Sequence, residues 1–488
     1  MTVPQHEVII VGGGFSGIGA AIKLDRTGIS DYLLVEQGDG IGGAWHFNTY
    51  PGVAVDIPSL SYSFSFERNP DWSRVFAPGA ELTASAEHCV DKYGIRGRIR
   101  LNTGITGARF DEQTDLWHLS TSSGETLTAR HVIGATGVLT QPKLPEIPGI
   151  ASFGGVTMHT ARWDHGVDLR GKRVAIIGSG ASAAQVIPAI APKLGKLHVF
   201  QRTPHWVLPR PDRVFKPWQR ALLGNKLIYK MLRTAIYWEL ELRMLGFKYS
   251  KLGLHLVAQR PALQHIKAQL KDPKMQAAVT PDFTIGCKRI ILSSTLYPAL
   301  ARANVMLHTK DDGIAEINEH GILTAKGEQI DLDCIVYSTG YDATDGVISY
   351  PVIGKGGKSV QDFWAEFPRA YLGTTMPGFP NLFVVTGPNT GIGHTSAIFV
   401  IEAQMEYIAR AIAATEKKGA KTIEVTTQAE ADYTGMIHRE MKKTVWHWGG
   451  CNSWYKSKSG HVIAMFPGFS FTFRQMCKAF KPAHHRFS

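Results

Sequence analysis

The chain has 488 residues but only five cysteines: Cys89, Cys287, Cys334, Cys451 and Cys477. They are far apart and none forms a C-x-x-C pair. Such spacing argues against a zinc site, a redox dithiol or a secreted disulfide scaffold, and fits a reducing cytoplasm. No run of Lys or Arg exceeds two residues, although the net charge is +12. The excess therefore suits a protein that binds small phosphorylated cofactors better than one that binds nucleic acid. Short tandem repeats and low-complexity segments are absent. Residues 8–22 are uncharged, but Glu7 precedes them and no Lys or Arg does, so they make a poor signal peptide. Residues 174–192 are dense in Gly, Ala and Ser and hold Gln185 and Pro188. They read as a buried strand, turn and helix rather than a membrane span.

What the sequence does have is one glycine turn, twice. In HEVIIVGGGFSGIGAAIKL, Gly12, Gly14 and Gly17 follow a β-branched run with the spacing G-x-G-x-x-G. The first glycine permits a sharp turn, the second admits a pyrophosphate, and the third lets helix and strand pack closely. The helix start then offers free N–H groups to the phosphate. The next strand, in YLLVEQ, ends at Glu36, an acceptor for ribose hydroxyls.

The pattern returns in RVAIIGSGASAAQVI as G-x-G-x-x-A, at Gly178, Gly180 and Ala183. The following strand, in HVFQRTPHW, ends near Arg202. Glu36 and Arg202 each lie 24 residues beyond the first glycine of their unit. Glutamate there suits a free 2′-hydroxyl, as in FAD or NAD; arginine suits a 2′-phosphate, as in NADP. Thr203 adds a hydroxyl donor. A surface cation is the plainer reading of Arg202. The expected fold is α/β, with two Rossmann-like dinucleotide-binding domains and a helical insertion in the second. NADPH needs a hydride acceptor, which places FAD in the first domain.

Residues 1–150 and 340–488 are expected to form a discontinuous FAD-binding domain. Residues 151–339 form the NADP-binding domain, including the insertion at 215–275, and the proline-rich TQPKLPEIPGI marks the crossing. The insertion is long and amphipathic. It reads as a packed element; the alternative, a helix lying on a membrane surface, is disfavoured because Glu239 and Glu241 interrupt its apolar face. DLDCIVYSTGYDATDG and ARHVIGATGVLT both read as strands returning to a nucleotide. NLFVVTGPNTGIGH reads as a strand and a Gly387-Pro388 turn before a long helix, whose start can steady negative charge on a reduced flavin.

Between the two units lies FGGVTMHTARWD, residues 153–164, with Phe153, Gly155, His159, Trp163 and Asp164 in the pattern F-x-G-x-x-x-H-x-x-x-W-D. It resembles the fingerprint of the type I Baeyer–Villiger monooxygenases, class B flavoprotein monooxygenases that use NADPH and O₂. GGAWHFNTYPGVAVDIPSLSYSFSF, GCKRIIL, STGYD, TGPNTGIG and CNSWY are similar to further segments of that family. The resemblance implies an enzyme that turns ketones into esters or lactones through a C4a-peroxyflavin anion.

On this resemblance FAD is held by Gly12, Gly14, Ser16, Gly17, Glu36, Ala44, Trp45, Asp56, Tyr62 and Ile105. NADP is held by Gly178, Gly180, Ala181, Ser182, Ala183, Arg202, Thr203, Lys288, Arg289 and Trp454. The catalytic pair is Arg289, which stabilises the anion, and Asp56, which orients that arginine. Plainer readings remain for each: an ion-pair partner for Arg289, a turn cap before Pro58 for Asp56, a buried aromatic for Trp454. For His159 a positional role in the crossing is preferred to general-base work. Ser338 and the run SSTLYPAL depart from the family's commonest pattern. The alternative activity is N- or S-oxygenation, which needs a protonated peroxide and does not require Arg289. A disulfide reductase lacks its C-x-x-C, and a non-catalytic NADP sensor is the rival from another class. The expected partners are a small ketone and O₂, with no nucleic acid, no metal and no transmembrane segment; weak membrane-surface association and the oligomeric state stay open.

Overall fold

Strands buried on both faces must be apolar throughout, and Val8, Ile9 and Ile10 are all fully buried. The computed structural model describes residues 3–342 and 348–488, so the ATDG that ends the STGYDATDG run lies outside the described residues. In chain order the elements that position the site are β1 (His6–Val11), α1 (Phe15–Arg26), β2 (Tyr32–Val35), β3 (Thr126–Gly134), β4 (Val156–His159), β5 (Arg173–Ile177), α2 (Ala181–Ile190), β6 (Lys196–Phe200), α3 (Lys226–Met244), β7 (Val305–His308), β8 (Cys334–Tyr337), β9 (Leu382–Val384) and α4 (Ala397–Lys417).

Two sheets follow. In the first, β1 lies between β2 and β3, parallel to both, and β9 joins β3 in parallel with Val384 opposite Gly134. A meander at Ile105–Asp111 and Leu116–Thr121 extends this sheet antiparallel beyond β3. The second sheet has five parallel strands in the order β7-β6-β5-β8-β4. Each sheet holds a βαβ unit, with α1 following β1 and α2 following β5, and the chain returns to the first sheet after β8. Helix α4 packs against α1 within the largest apolar cluster, which buries Ile18, Ile22, Ile401 and Ile408. Close packing of this kind supplies most of the stability that isolated helices lack.

Two expectations need correction. Cys287 and Cys451 form a disulfide across 164 residues. Their wide spacing concealed it, because only the fold brings the GCKR loop against the CNSWY segment. The other three cysteines are buried, and burial pushes the Cys89 and Cys334 thiols up to about 12. The second correction concerns the insertion. Helix α3, capped by Asn225 Oδ1, which accepts from the Leu227 and Ile228 amides at 2.9 and 3.2 Å, packs on one face only. Tyr229, Leu240 and Met244 are buried. Glu241 does not interrupt an outer face: it is buried too, accepting from the backbone N–H and the hydroxyl of Ser470. Glu239 stays outside, paired with Arg243 at 3.4 Å.

Candidate active site

Ligands of open α/β sheets bind beyond the carboxyl ends of the strands. Here both sheets present those ends to one cavity of about 1390 Å³. From the first unit it is lined by Gly12, Gly14, Ser16, Glu36, Ala44, Trp45, Asp56, Tyr62 and Ile105. From the second it is lined by Gly178, Gly180, Ala181, Ser182, Arg202, Thr203, Lys288 and Arg289, and Trp454 reaches it from the returning chain. Of the expected cofactor residues only Gly17 and Ala183 stand back from the wall. Both are buried at equivalent points of their helices, where a small residue lets helix and strand meet.

The first pocket is shaped by its backbone. Gly12 has φ +114°, and a Cβ there would stand 2.6 Å from the Ala135 carbonyl oxygen. Gly14 begins α1 with no side chain capping the helix. The first-turn N–H groups are thus left for an anion. Glu36 is buried and braces the turn: it accepts from the Gly13 amide at 2.6 Å and the Gly38 amide at 2.8 Å. Across the cavity Trp45 donates its Nε1–H to the Tyr62 hydroxyl at 3.0 Å. These features fit a dinucleotide with a free ribose, the diphosphate on the helix start and the ribose at Glu36.

The second pocket differs in charge. Gly180 begins α2, again without a capping side chain, and a Cβ there would meet nothing within 4 Å. Neither Arg202 nor Lys288 is ion-paired with a carboxylate among the described residues. Burial and the nearby Arg202 charge hold the Lys288 ammonium below the usual lysine range. His205 lines the same wall, and burial with the Lys288 charge pushes it down to about 4. Two neighbouring cations, Arg202 and Lys288, on one cavity wall make a site built for an anion. His205 was legible only as part of HVFQRTPHW; nothing in its type or spacing marked it as a wall residue.

The two pockets meet at one ion pair. Arg289 donates to Asp56 through Nε at 2.6 Å and Nη2 at 2.6 Å. The Asp56 charge raises the guanidinium above its ordinary pKa. About half of the Arg289 side chain is accessible, and it faces the cavity. Burial raises the Tyr62 and Tyr455 hydroxyls beside it, so both stay neutral donors. Trp454 is 42% exposed and meets the Tyr455 ring edge-on at 4.7 Å. Asp56 has support from the other unit. Gln185 on α2 accepts from the Tyr50 hydroxyl at 2.9 Å and donates to the Ala54 carbonyl at 2.9 Å, which ties the loop before Asp56 to the second sheet's helix. In the sequence Gln185 stands out only as a polar residue in an apolar stretch.

Residues 9–237 match a family described as pyridine nucleotide-disulphide oxidoreductase. A Baeyer–Villiger monooxygenase of Pseudomonas aeruginosa is 42% identical over 97% of this chain and 90% of its own length. One from Streptomyces coelicolor is 41% identical over 97% and 91%. The chain belongs to the Baeyer–Villiger monooxygenase family. Among solved structures, OTEMO in complex with FAD and NADP superimposes with a TM-score of 0.90 at 27% identity, over all of both chains. Oxidized steroid monooxygenase bound to NADP gives 0.88 at 30% identity, over 99% of each.

In this Baeyer–Villiger monooxygenase the fingerprint builds the frame rather than the wall. None of Phe153, Gly155, His159, Trp163 and Asp164 lines the cavity. A Cβ on Gly155 would stand 2.8 Å from the Asp333 carbonyl oxygen, and the Phe153 ring packs just beside it. His159 ends β4, and its Nδ1 accepts from the Ala161 amide at 3.0 Å. Burial pushes it down to about 4, the state that this acceptor role requires. Asp164 accepts from the Gly166 amide at 2.8 Å, closing a turn, and Trp163 packs on the second sheet's apolar cluster. Arg162, which the pattern leaves unspecified, does reach the cavity, with its guanidinium 4.3 Å over the Phe47 ring.

Proposed function

We infer that this protein converts ketones to esters or lactones with consumption of NADPH and O₂, holding FAD in the first pocket and the nicotinamide cofactor in the second. One oxygen atom enters the carbon skeleton and the other leaves as water, with NADPH supplying the hydride. The flavin, when bound, passes these electrons to O₂. The observation that carries the reading is the Arg289–Asp56 pair where the two pockets adjoin.

Each residue then has a task. The first turn of α1 and Gly14 face the FAD diphosphate, and Glu36 accepts from its ribose. Ser16, Ala44, Trp45, Tyr62 and Ile105 complete that wall. Gly178, Gly180, Ala181 and Ser182 do the same for NADP. Arg202, Thr203 and Lys288 bind the 2′-phosphate, with His205 beside them. Trp454 flanks the nicotinamide end. Arg289 stabilises negative charge that develops on oxygen when the ketone carbonyl is attacked, and Asp56 fixes the direction of its N–H groups. We assign residues 1–150 and 340–488 to the FAD-binding domain and 151–339 to the NADP-binding domain.

The test is to reduce the flavin-loaded protein with NADPH without oxygen, then admit O₂ with linear, cyclic and aryl ketones. Ester or lactone formed in step with NADPH consumed supports the reading. Consumption of NADPH with only H₂O₂ released for every ketone contradicts it.

A further inference from the structure

We propose that the outward face of the helical insertion docks this protein on the surface of an anionic lipid bilayer. Among the described residues, nineteen large apolar side chains are exposed, and thirteen of them lie within residues 214–257. Scattered exposed apolar residues need no explanation, but a concentration in one segment does.

The thirteen are not randomly placed. Leu227, Met231, Trp238, Leu242, Leu245 and Tyr249 recur at steps of four, seven, four, three and four residues. That is one row along α3 and the turn that continues it. Each is 45–66% exposed. The opposite row, Tyr229, Leu240, Met244 and Phe247, is buried in the protein. A helix that served only its own core would be polar on the outside. This one is apolar on both faces, and only one is covered.

Charge selects the partner. Residues 214–257 hold eight Lys and Arg against two Glu, half of the chain's excess of +12. Arg233 turns inward to the Leu60 carbonyl, and Lys248 to Glu440 and the Pro467 carbonyl. Of the other six, Arg220 is half-buried and Arg243 is exposed but paired with Glu239, while Lys216, Lys226, Lys230 and Lys251 remain exposed. Of the two acids, Glu241 is buried and Glu239 is paired. The outward surface is therefore apolar, edged by cations and supplied with Trp238 and Tyr249, which favour the headgroup level. Two copies meeting through this face would set like charges against each other. Nucleic acid would leave the apolar row unused. An anionic bilayer satisfies both, each nearby Lys or Arg adding attraction. No helix among the described residues is long and apolar enough to cross a membrane, so the contact is docking on the surface.

The test is co-sedimentation of the flavin-loaded protein with phosphatidylcholine vesicles, with and without phosphatidylglycerol. Binding to the anionic vesicles, weakened by salt and at least roughly tenfold weaker without the anionic lipid, is expected. Leu242→Gln with Tyr249→Ser removes two exposed apolar contacts and lowers binding roughly tenfold or more. Lys226→Glu with Lys230→Glu does the same through charge. Flavin content of each variant reports an intact fold. The proposal is overturned by absence of binding to anionic vesicles, by binding that neither pair of substitutions changes, or by a dimer in sedimentation velocity that these substitutions dissolve. No arm requires turnover, so the result stands apart from the ketone chemistry.

Discussion

Asp56 and Arg289, 233 residues apart in the chain, clasp each other through two hydrogen bonds of 2.6 Å in the wall of the cavity. The Nε–H and one Nη2–H are used. Three of the five guanidinium N–H donors remain for whatever oxygen approaches. The carboxylate therefore sets the plane of the guanidinium and leaves its other edge free. Asp56→Asn keeps the shape but loses the charge and one of the two acceptors. Ester formed per NADPH consumed is expected to fall roughly 10- to 100-fold, the scale of a small misplacement of a catalytic group. Product analysis beside NADPH consumption measures it.

The cation cluster at the second pocket predicts cofactor choice. Arg202→Ala and Lys288→Ala each remove a charge-assisted contact to the 2′-phosphate. Each is expected to raise KM for NADPH about 10- to 100-fold while changing KM for NADH little. An equal change with both cofactors would assign these residues to something common to the two.

The disulfide sets a count. Thiol titration of the unfolded protein without reductant should give three thiols, Cys89, Cys334 and Cys477, and after reduction five. Cys287 directly precedes Lys288 and Arg289, and Cys451 lies three residues before Trp454. Cys287→Ser should therefore raise KM for NADPH as well as lowering the thermal midpoint, because it frees the loop that carries both cations.

Buried histidines predict acid sensitivity. His159 and His198 are each pushed down by burial, from 6.5 to about 4. His159 Nδ1 accepts an amide hydrogen bond, and His198 Nδ1 lies 3.0 Å from His308 Nε2. Both are neutral when folded and take up protons on unfolding below about pH 6.5. Their contribution is fully present above that pH and is lost as pH falls towards 4. Denaturant midpoints should drop from pH 7 to pH 5, and less steeply for His198→Gln. An equal slope in the variant would contradict the assignment.

How far the sequence discloses all this depends on range. The glycine turns and the matched offsets of Glu36 and Arg202 are local, since one strand, turn and helix fixes each, so fold and cofactor pockets were legible. The fingerprint was legible as a pattern, but its residues brace β4 and the crossing rather than touch the cavity. The Asp56–Arg289 pairing came from resemblance alone, because nothing local joins residues 233 apart. His205, the Gln185 tie and the Cys287–Cys451 bond were missed for the same reason. The insertion misled differently. Its two glutamates looked like breaks in one apolar face, whereas Glu241 is buried and α3 has an apolar row on each side.

The most direct test of the site is the oxygen balance of Arg289→Ala, measured as ester formed, H₂O₂ released and NADPH consumed against the unaltered protein. Loss of the cation should lower ester formation by about 10³-fold or more while NADPH is still oxidised and H₂O₂ appears. Ester formation within a few-fold of the unaltered rate would place the chemistry elsewhere in the molecule.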